Sequence, residues 1–372
     1  MKPEAFETVF CDFNAGAPAS EEVLAAFLEA ERTHPGNPAS VHATGRKARA
    51  ALEEARARIG TALGVAAADV VFTSGGTEAA NLAVAGLGDP ALPVVVSDAE
   101  HPAVNEPALV RGTQTWSVDQ DGAAVVQPPA VPVGLLCLVH AQSELGTLQP
   151  VLAAKALADR LGVPLFVDAA QSLGRTTLSP VLATGAILAL SPHKCGDLRG
   201  HGVLLGRDLQ HRLRPLLRGG GQELGLRPGT QSPALALANA LAIERAVREQ
   251  PQRALRMEAA RHAFLNGLSD TVEHRVLTPL ANSVPNTAML YFPDVDGRNL
   301  LPALDLAGIH ASHGAACSSG SPTPPRILAA IGLRGAAARA CVRFSFGWRV
   351  DTTSWRDVGA RVGAIVSRLK KN

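Results

Sequence analysis

The sequence predicts an α/β protein built on a mostly parallel sheet, of the seven-stranded type, that is flanked by helices and joined to a smaller α+β domain. Short apolar runs alternate with helical stretches, and the runs are continuously apolar, which is typical of parallel strands buried on both faces. The chain has 372 residues, and a single hydrophobic core usually stops growing below that length. We therefore predict a large domain at 15–245 and a small domain formed by 1–14 together with 246–372.

The individual elements follow from local patterns. Leu52, Ala55 and Ile59 recur at helical spacing with charged residues opposite them, which predicts an amphipathic helix over about 41–63. Strands of the sheet are predicted at 70–72, 94–96, 135–139, 165–167, 187–190 and 203–205. The smaller domain is predicted to contain helices at 252–268, 298–306, 325–331 and from about 353, with strands at 287–292 and 340–345.

Composition limits the classes of function. The hydrophobic share of 47%, the charged share of 18% and the net charge of +2 indicate a globular protein without the basic field that nucleic-acid binding needs. The opening MKPEAFETVF lacks the layout of a secretory signal, and no apolar run is long enough to cross a membrane. We expect a cytoplasmic protein without membrane or direct nucleic-acid contact.

The five cysteines, Cys11, Cys137, Cys195, Cys317 and Cys341, are scattered and show no CxxC spacing. They predict neither a disulfide framework nor a zinc site, and no bound metal is expected. Most should be small buried hydrophobes. Cys317 differs, because its neighbours in GAACSSGS (314–321) are typical of an exposed loop.

A phosphate-binding turn is predicted after the first strand of the sheet. The residues TSGGTE (73–78) lie between an apolar run and a helical stretch, so their backbone N–H groups are expected at the positive end of a helix. The turn matches neither GxGxxG nor GxxxxGK[ST], which disfavours NAD and ATP as ligands.

Two further strand ends carry charged side chains. Asp168 follows 165–167, at the sheet edge where α/β proteins bind ligands, although an Asp there can also simply cap the next helix. Lys194 follows 187–190, and a lysine at such a turn can form a Schiff base, although an isolated lysine is usually a surface residue. Taken with the phosphate turn, these are the parts that a pyridoxal 5'-phosphate (PLP) site needs.

With these residues in place, the chain resembles the class V aminotransferases of the fold-type I PLP enzymes, and among them the cysteine desulfurases. The resemblance runs from Asp12 to Ser345. It is carried in order by NPASVH (37–42), TSGGTEAAN (73–81), EHPAV (100–104), ELGTLQP (144–150), VDAAQ (167–171), SPHK (191–194), GGGQELGLRPGT (219–230), VPNT (284–287) and GAACSSGS (314–321).

The resemblance implies roles around the cofactor ring. Lys194 would hold PLP as a Schiff base, Asp168 would pair with the pyridine nitrogen, Gln171 would approach the ring oxygen, and His101 would stack on the ring as a catalytic residue. An anionic carboxylate raises the pKa of the ring nitrogen and so keeps the cofactor an electron sink.

The resemblance also implies contacts to the phosphate and the substrate. Phosphate contacts are implied for Gly76, Thr77, Ser191 and His193. Thr230 would reach the cofactor of the neighbouring subunit in a homodimer. Arg343 would bind the carboxylate of L-cysteine through its planar fork of donors, with Asn37 close to the substrate.

The implied reaction converts L-cysteine to L-alanine. The amine of Lys194, once displaced by the substrate, moves the α-proton, and the thiolate of Cys317 takes the sulfur as a persulfide for a scaffold or carrier protein. Iron–sulfur clusters, tRNA thiolation and DNA phosphorothioation all stay open as end points.

Departures from the family pattern keep alternatives open. Gln142-Ser143 stands where the family usually has Asn-Asn, Pro228 replaces the usual Ser before Gly-Thr, and Cys195 to Leu198 differ from the customary residues. One alternative is another class V enzyme, an aminotransferase or a C–S or C–Se lyase, in which Cys317 is dispensable. The other is a non-catalytic interaction protein, which the presence of Lys194 and Cys317 disfavours.

Overall fold

The computed structural model describes residues 8–269, 271–314, 324–349 and 353–370. Its strands are β1 (Val9–Phe10), β2 (Val70–Thr73), β3 (Val94–Ser97), β4 (Thr113–Trp116), β5 (Leu135–Val139), β6 (Leu165–Asp168), β7 (Ile187–Leu190), β8 (Gly202–Leu205), β9 (Arg275–Val276), β10 (Thr287–Tyr291), β11 (Ile309–His310) and β12 (Cys341–Ser345).

Helices separate most of these strands. They are α1 (Glu21–Thr33), α2 (Ala43–Leu63), α3 (Gly76–Gly86), α4 (Pro102–Arg111), α5 (Val151–Leu161), α6 (Ser179–Leu182), α7 (Leu209–Arg212), α8 (Pro233–Arg248), α9 (Gln250–Ser269), α10 (Gly297–Leu306), α11 (Arg326–Ala330), α12 (Gly335–Arg339) and α13 (Trp355–Lys370). The predicted strands and helices are all present, with ends that differ by a few residues.

A seven-stranded sheet has the order β2-β8-β7-β6-β5-β3-β4. All its pairs are parallel except those that β8 makes with β2 and β7. The predicted mostly parallel sheet is therefore confirmed. Prediction missed β4, because Thr113–Trp116 is an edge strand whose Thr-Gln-Thr-Trp sequence carries little apolar signal.

Helices cover both faces of this sheet. Along β2, Val70 and Phe72 belong to a cluster with residues of α2, whereas Val71 belongs to a second cluster with residues of α3. Each of these three side chains is at most 2% exposed, and burial of a side chain of this size contributes about 1.5–3 kcal/mol. Continuous apolar runs thus fold here as strands buried on both sides.

The ends of the chain form a second cluster. β10 pairs antiparallel with β12 and β9, while β1 pairs parallel with β11. Val9, Phe264, Phe344 and Val362 pack in one apolar cluster, and Asp12 bridges to Ser345 beside β12. The N-terminal segment therefore lies against residues more than three hundred positions later in the chain. The division at residues 14 and 245 stays a prediction.

Among the helices within the described ranges, none is both long and apolar enough to cross a membrane.

Candidate active site

A cavity of about 460 Å³ lies at the carboxyl ends of β6 and β7 and at the start of α3. Its walls include nine of the residues predicted for the site: Gly76, Thr77, His101, Asp168, Gln171, Ser191, His193, Lys194 and Arg343. This volume lies within the range of small-molecule sites. The fold thus brings together side chains that are up to 267 positions apart in sequence, from 76 to 343.

The start of α3 forms one wall. No described side chain caps this helix, so its first N–H groups are left for another acceptor. A Cβ built on Gly76 would lie 2.0 Å from Oγ of Ser191, which is closer than any side chain allows. Glycine is therefore required for this approach of the backbone to Ser191. A helix N-terminus with a hydroxyl beside it suits a phosphate group.

Glu78 fixes the turn before α3. Its carboxylate accepts a 2.6 Å hydrogen bond from the N–H of Ser74 and pairs with Arg227 at 2.8 Å. Burial disfavours its charged form, but the hydrogen bonds from Arg227 and Ser74 outweigh burial and lower the pKa of the Glu78 carboxyl. The loop that precedes α8 is thereby tied to the predicted phosphate turn.

Asp168 forms part of another wall of the cavity. Its side chain is buried, and Oδ1 accepts a 2.9 Å hydrogen bond from the N–H of Ala170. Nearby Glu100 is also buried: burial raises its pKa to about 8, although the N–H of Val139 donates to it and opposes the shift. Glu100 therefore holds its proton at neutral pH and adds no full negative charge beside Asp168.

Lys194 lies on a short 3-10 turn, Pro192–Lys194, directly after β7. Its N–H donates to the carbonyl of Ser191 at 3.0 Å, which fixes the backbone of the turn. Burial, followed by the charges of Lys194 and Arg199, lowers the pKa of His193 to about 4. His193 is therefore a neutral hydrogen-bonding group at neutral pH.

His101 is the N-cap residue of α4. Its Nδ1 accepts a 3.1 Å hydrogen bond from the N–H of Ala103, which fixes the orientation of the imidazole against the cavity. The planar ring is thus presented as part of a wall, as stacking on a cofactor ring requires.

Gln171 is held through both ends of its amide. Nε2 donates to the carbonyl of Asn14 at 2.9 Å, and Oε1 accepts from Nη1 of Arg175. Asn14 is itself buried, and its Nδ2 donates to the carbonyl of Ser143 at 3.0 Å and to Thr287 Oγ1 at 2.9 Å. Asn14, Gln171 and Ser143 all line the cavity.

Arg343 reaches the cavity from β12. It is 1% exposed and pairs with Asp12 at 2.7 Å. Nη1 donates to the carbonyls of Ser143 and Gly314 at 2.9 and 3.2 Å. Its Nε is buried and makes no hydrogen bond within the described part of the chain. A buried donor without a partner is uncommon in folded proteins.

Two predicted residues lie outside this cavity. Asn37 is exposed, and its Oδ1 accepts from the N–H of Ala39. Thr230 is exposed on the loop before α8, and neither residue lines the cavity of its own chain. Cys317 lies outside the described residues. Roles for these three residues stay predictions.

Sequence patterns missed two residues of the site, Asn14 and Arg175. Arg175 is 2% exposed, whereas an arginine in a polar stretch is expected at the surface. Asn14 gives no local signal, because its partners Thr287 and Asn286 are more than 270 positions away. Only the fold reveals both residues.

The residues of the cavity fit PLP. An uncapped helix N-terminus with Ser191 suits its phosphate, buried Asp168 suits a protonated ring nitrogen, and Lys194 suits its aldehyde.

Comparisons with known proteins agree with this fit. The family described as aminotransferase class-V matches residues 9–354. The cysteine desulfurase IscS of Dictyoglomus turgidum is 31% identical over 353 residues, which cover 91% of this chain and 89% of the relative.

Solved structures are similar over the same span. A NifS-like protein has a TM-score of 0.85 at 28% identity and covers 98% of this chain and 100% of its own. SspA, solved in complex with cysteine, has a TM-score of 0.78 at 27% identity, covering 91% of this chain and 99% of its own. This chain belongs to the aminotransferase class-V family and, within it, to the PLP-dependent cysteine desulfurases.

Proposed function

We propose that this chain takes sulfur from L-cysteine, releases L-alanine and carries the sulfur as a persulfide on Cys317. The proposal rests on one observation. Lys194, Asp168 and the N-terminus of α3 at Gly76 all line the same cavity. Arg343 lines the same cavity, so a recognition group for an amino-acid carboxylate lies beside the cofactor residues.

Different residues of the cavity suit different parts of PLP. The phosphate would be held by Gly76, Thr77, Ser191 and His193. Asp168 would face the pyridine nitrogen, Gln171 the ring oxygen and His101 the face of the ring. When bound, PLP supplies the electron sink that weakens bonds at the substrate's α-carbon.

Arg343 would bind the carboxylate of L-cysteine. Asp12 and the carbonyl of Ser143 hold its guanidinium, and Nε adds a donor that meets no described acceptor. A substrate carboxylate bound by Arg343 would lie in the same cavity as Lys194.

Lys194 would then act as the base. With PLP and L-cysteine both bound, Nζ of Lys194 would be an amine beside the substrate's α-carbon. That nitrogen can accept the α-proton and return a proton to the carbon that becomes the methyl group of alanine.

Cys317 would receive the sulfur. The thiolate attacks the substrate's sulfur, an S–S bond forms, the C–S bond breaks, and its electron pair goes to the carbon product. Gly314 lines the cavity, and Cys317 follows it three residues later in the sequence.

The four described cysteines are poor candidates for this step. All are buried, and burial raises the pKa of Cys11, Cys195 and Cys341 to about 12 and that of Cys137 well above its ordinary value. Each therefore stays a thiol at neutral pH, whereas the nucleophile must be a thiolate.

The proposal includes a homodimer and a protein that accepts the sulfur. Thr230 is exposed and lies outside the cavity of its own chain, as a residue that serves the site of a neighbouring subunit would. The identity of the acceptor and the cytoplasmic location stay predictions.

The test is to supply the PLP-loaded protein with L-cysteine and a thiol reductant, and to measure sulfide and alanine. We expect equal amounts of both products, and Cys317→Ala should lose nearly all sulfide release while still binding PLP. Cys341→Ala is the matched control and should keep its activity. Full sulfide release by Cys317→Ala, or amination of added 2-oxo acids, would instead indicate another class V reaction.

A further inference from the structure

Arg175 lies directly behind the cavity, seven residues after Asp168. It is 2% exposed. Nη1 donates to both oxygens of Gln171, the carbonyl at 3.3 Å and the side-chain Oε1. Nη2 donates to the carbonyls of Phe13 at 2.9 Å and Lys194 at 3.4 Å. One guanidinium therefore contacts the cofactor lysine's backbone and a residue predicted at the ring oxygen.

The charge of Arg175 is not balanced within the described part of the chain. Arg175 forms no ion pair there, and every acceptor it meets is a neutral oxygen. Arg343, also buried, has Asp12 as its partner. Burial, with the like charge of Arg343, lowers the pKa of Arg175 to about 9, so it is still charged at neutral pH. A buried cation without an anion is costly, which points to an anionic ligand in the cavity.

Arg175 also determines which end of the Gln171 amide faces which neighbour. A guanidinium has only donors, so the group that it meets must be the amide oxygen. Nε2 then faces the carbonyl of Asn14, and a primary amide nitrogen has a second N–H to offer. Gln171 lines the cavity, so this second N–H is the donor that its amide can offer there, and the flipped amide would set two donors against each other.

We infer that Arg175 is a positioning residue for the cofactor: it fixes the Gln171 amide with its N–H toward the anionic ring oxygen of PLP, and its charge is balanced by that oxygen. The inference rests on the proposed function, because it requires PLP in this cavity. Arg175 does not touch the reacting atoms and acts through Gln171 and through its field.

Other charges face the same region. Cys195, Arg343 and His193 interact electrostatically with Arg175, and Asp168 and Lys194 line the cavity beside Gln171. All five are present in each variant below, and the His193 pKa, which the charge of Arg175 lowers, should rise with the midpoint when that charge is removed.

The readout is the pH at which the visible absorbance of bound PLP changes, together with the dissociation constant of PLP. A positive charge and a donor to the ring oxygen both disfavour the protonated form of the bound cofactor. Arg175→Met removes the charge and leaves the Gln171 amide free to flip its N–H away from the ring oxygen, so the midpoint should rise by at least about one pH unit, and PLP should bind more weakly. Arg175→Lys keeps the charge and one donor, so most of the shift should be reversed.

Arg261→Met is the matched control. Arg261 is likewise 1% exposed and donates to the carbonyls of Val284 and Thr287, but it does not line the cavity. Its loss should lower the melting temperature and leave the midpoint of the PLP absorbance unchanged.

Each outcome decides the question. A midpoint in Arg175→Met equal to that of the parent protein, or a shift of the same size in Arg261→Met, overturns the inference. If Arg175→Met does not fold, Arg175→Gln, which keeps a donor and loses the charge, must raise the midpoint, and no rise again overturns it. If the parent protein takes up no PLP, the proposed function fails instead.

Discussion

Asp12 determines where the guanidinium of Arg343 points. The two side chains meet at 2.7 Å, and the side chain of Arg343 is only 2% exposed, so the pair is shielded from water and salt. Two carbonyls hold the remaining terminal nitrogen. The proposed recognition of the substrate carboxylate by Arg343 would therefore depend on Asp12, which does not line the cavity.

Replacing Asp12 should consequently affect substrate binding more than turnover. Asp12→Asn loses the charge while keeping a hydrogen-bond acceptor, and loss of a charged hydrogen bond is worth about 1.5–3 kcal/mol. We expect KM for L-cysteine to rise roughly 10-fold or more with a smaller change in kcat. Asp159→Asn, at an exposed helical ion pair, is the control. Equal KM values for the three proteins would show that Asp12 has no such role.

Glu100 makes the stability of the fold depend on pH. Its pKa is raised from 4.5 to about 8 by burial, with the charge of Asp168 acting in the same direction. The folded protein therefore binds this proton more tightly than the unfolded chain. Stability from Glu100 is complete below about pH 4.5 and is lost as the pH rises through about 8.

Glu100→Gln should flatten this dependence. The amide has the same shape and no charge to bury. As the pH rises from 5 to 8, the free energy of unfolding of the variant should therefore increasingly exceed that of the parent protein, by on the order of a few kcal/mol. Melting temperatures across that range measure the effect. Glu106→Gln, on the exposed surface of α4, should follow the parent. Parallel curves for Glu100→Gln and the parent would contradict the assignment of the shift.

At the level of elements, the start of α3 depends on one glycine. Gly76→Ala would place a Cβ 2.0 Å from Ser191 Oγ and force this hydroxyl out of its position at the proposed phosphate site. We expect PLP to bind at least roughly tenfold more weakly, a loss of about 1.4 kcal/mol.

The control for this variant is a similar clash far from the site. Gly359→Ala on α13 would place a Cβ 2.1 Å from the carbonyl of Phe264, so it should lower the melting temperature without changing the PLP dissociation constant of the folded protein. If Gly76→Ala and the parent protein bind PLP equally well, the proposed phosphate site at the start of α3 is ruled out.

The elements near the site could be predicted because each leaves a local signal. β6 and β7 are apolar runs that end in Asp168 and in the turn of Lys194, and α3 follows a Gly-Gly turn. Chain order on a parallel sheet then places their ends at one edge.

Other features have no local signal. β8 runs antiparallel to both strands with which it pairs, and no residue in Gly202–Leu205 specifies that direction. Burial of Arg175 depends on carbonyls from Phe13 and Lys194, which are far apart in sequence. Both are consequences of tertiary packing, so local patterns cannot predict them.

At the scale of the whole molecule, the cavity lies where the seven-stranded sheet meets the cluster formed by both ends of the chain. Asp168 and Lys194 come from the sheet, whereas Arg343 comes from β12 and Asn14 follows β1. The site therefore forms only when both parts of the chain are folded and packed against each other.

The proposed homodimer adds a third source, the neighbouring subunit. Lys194→Ala and Thr230→Ala subunits, each impaired alone, should regain activity when they are mixed and allowed to exchange. A mixed dimer then has one site with an intact Lys194 from one chain and an intact Thr230 from the other. With random exchange about a quarter of all sites are intact. Activity equal to the mean of the two separate variants would place Thr230 in its own chain's site.

The most direct test of the whole account is where PLP becomes attached. The protein should turn yellow with PLP, and borohydride reduction followed by peptide mapping should find the cofactor on Lys194. Lys194→Ala should show neither the colour nor the label, although it keeps the phosphate turn and Asp168. An equal label on Lys194→Ala, or a label on another lysine of the parent protein, would contradict the account.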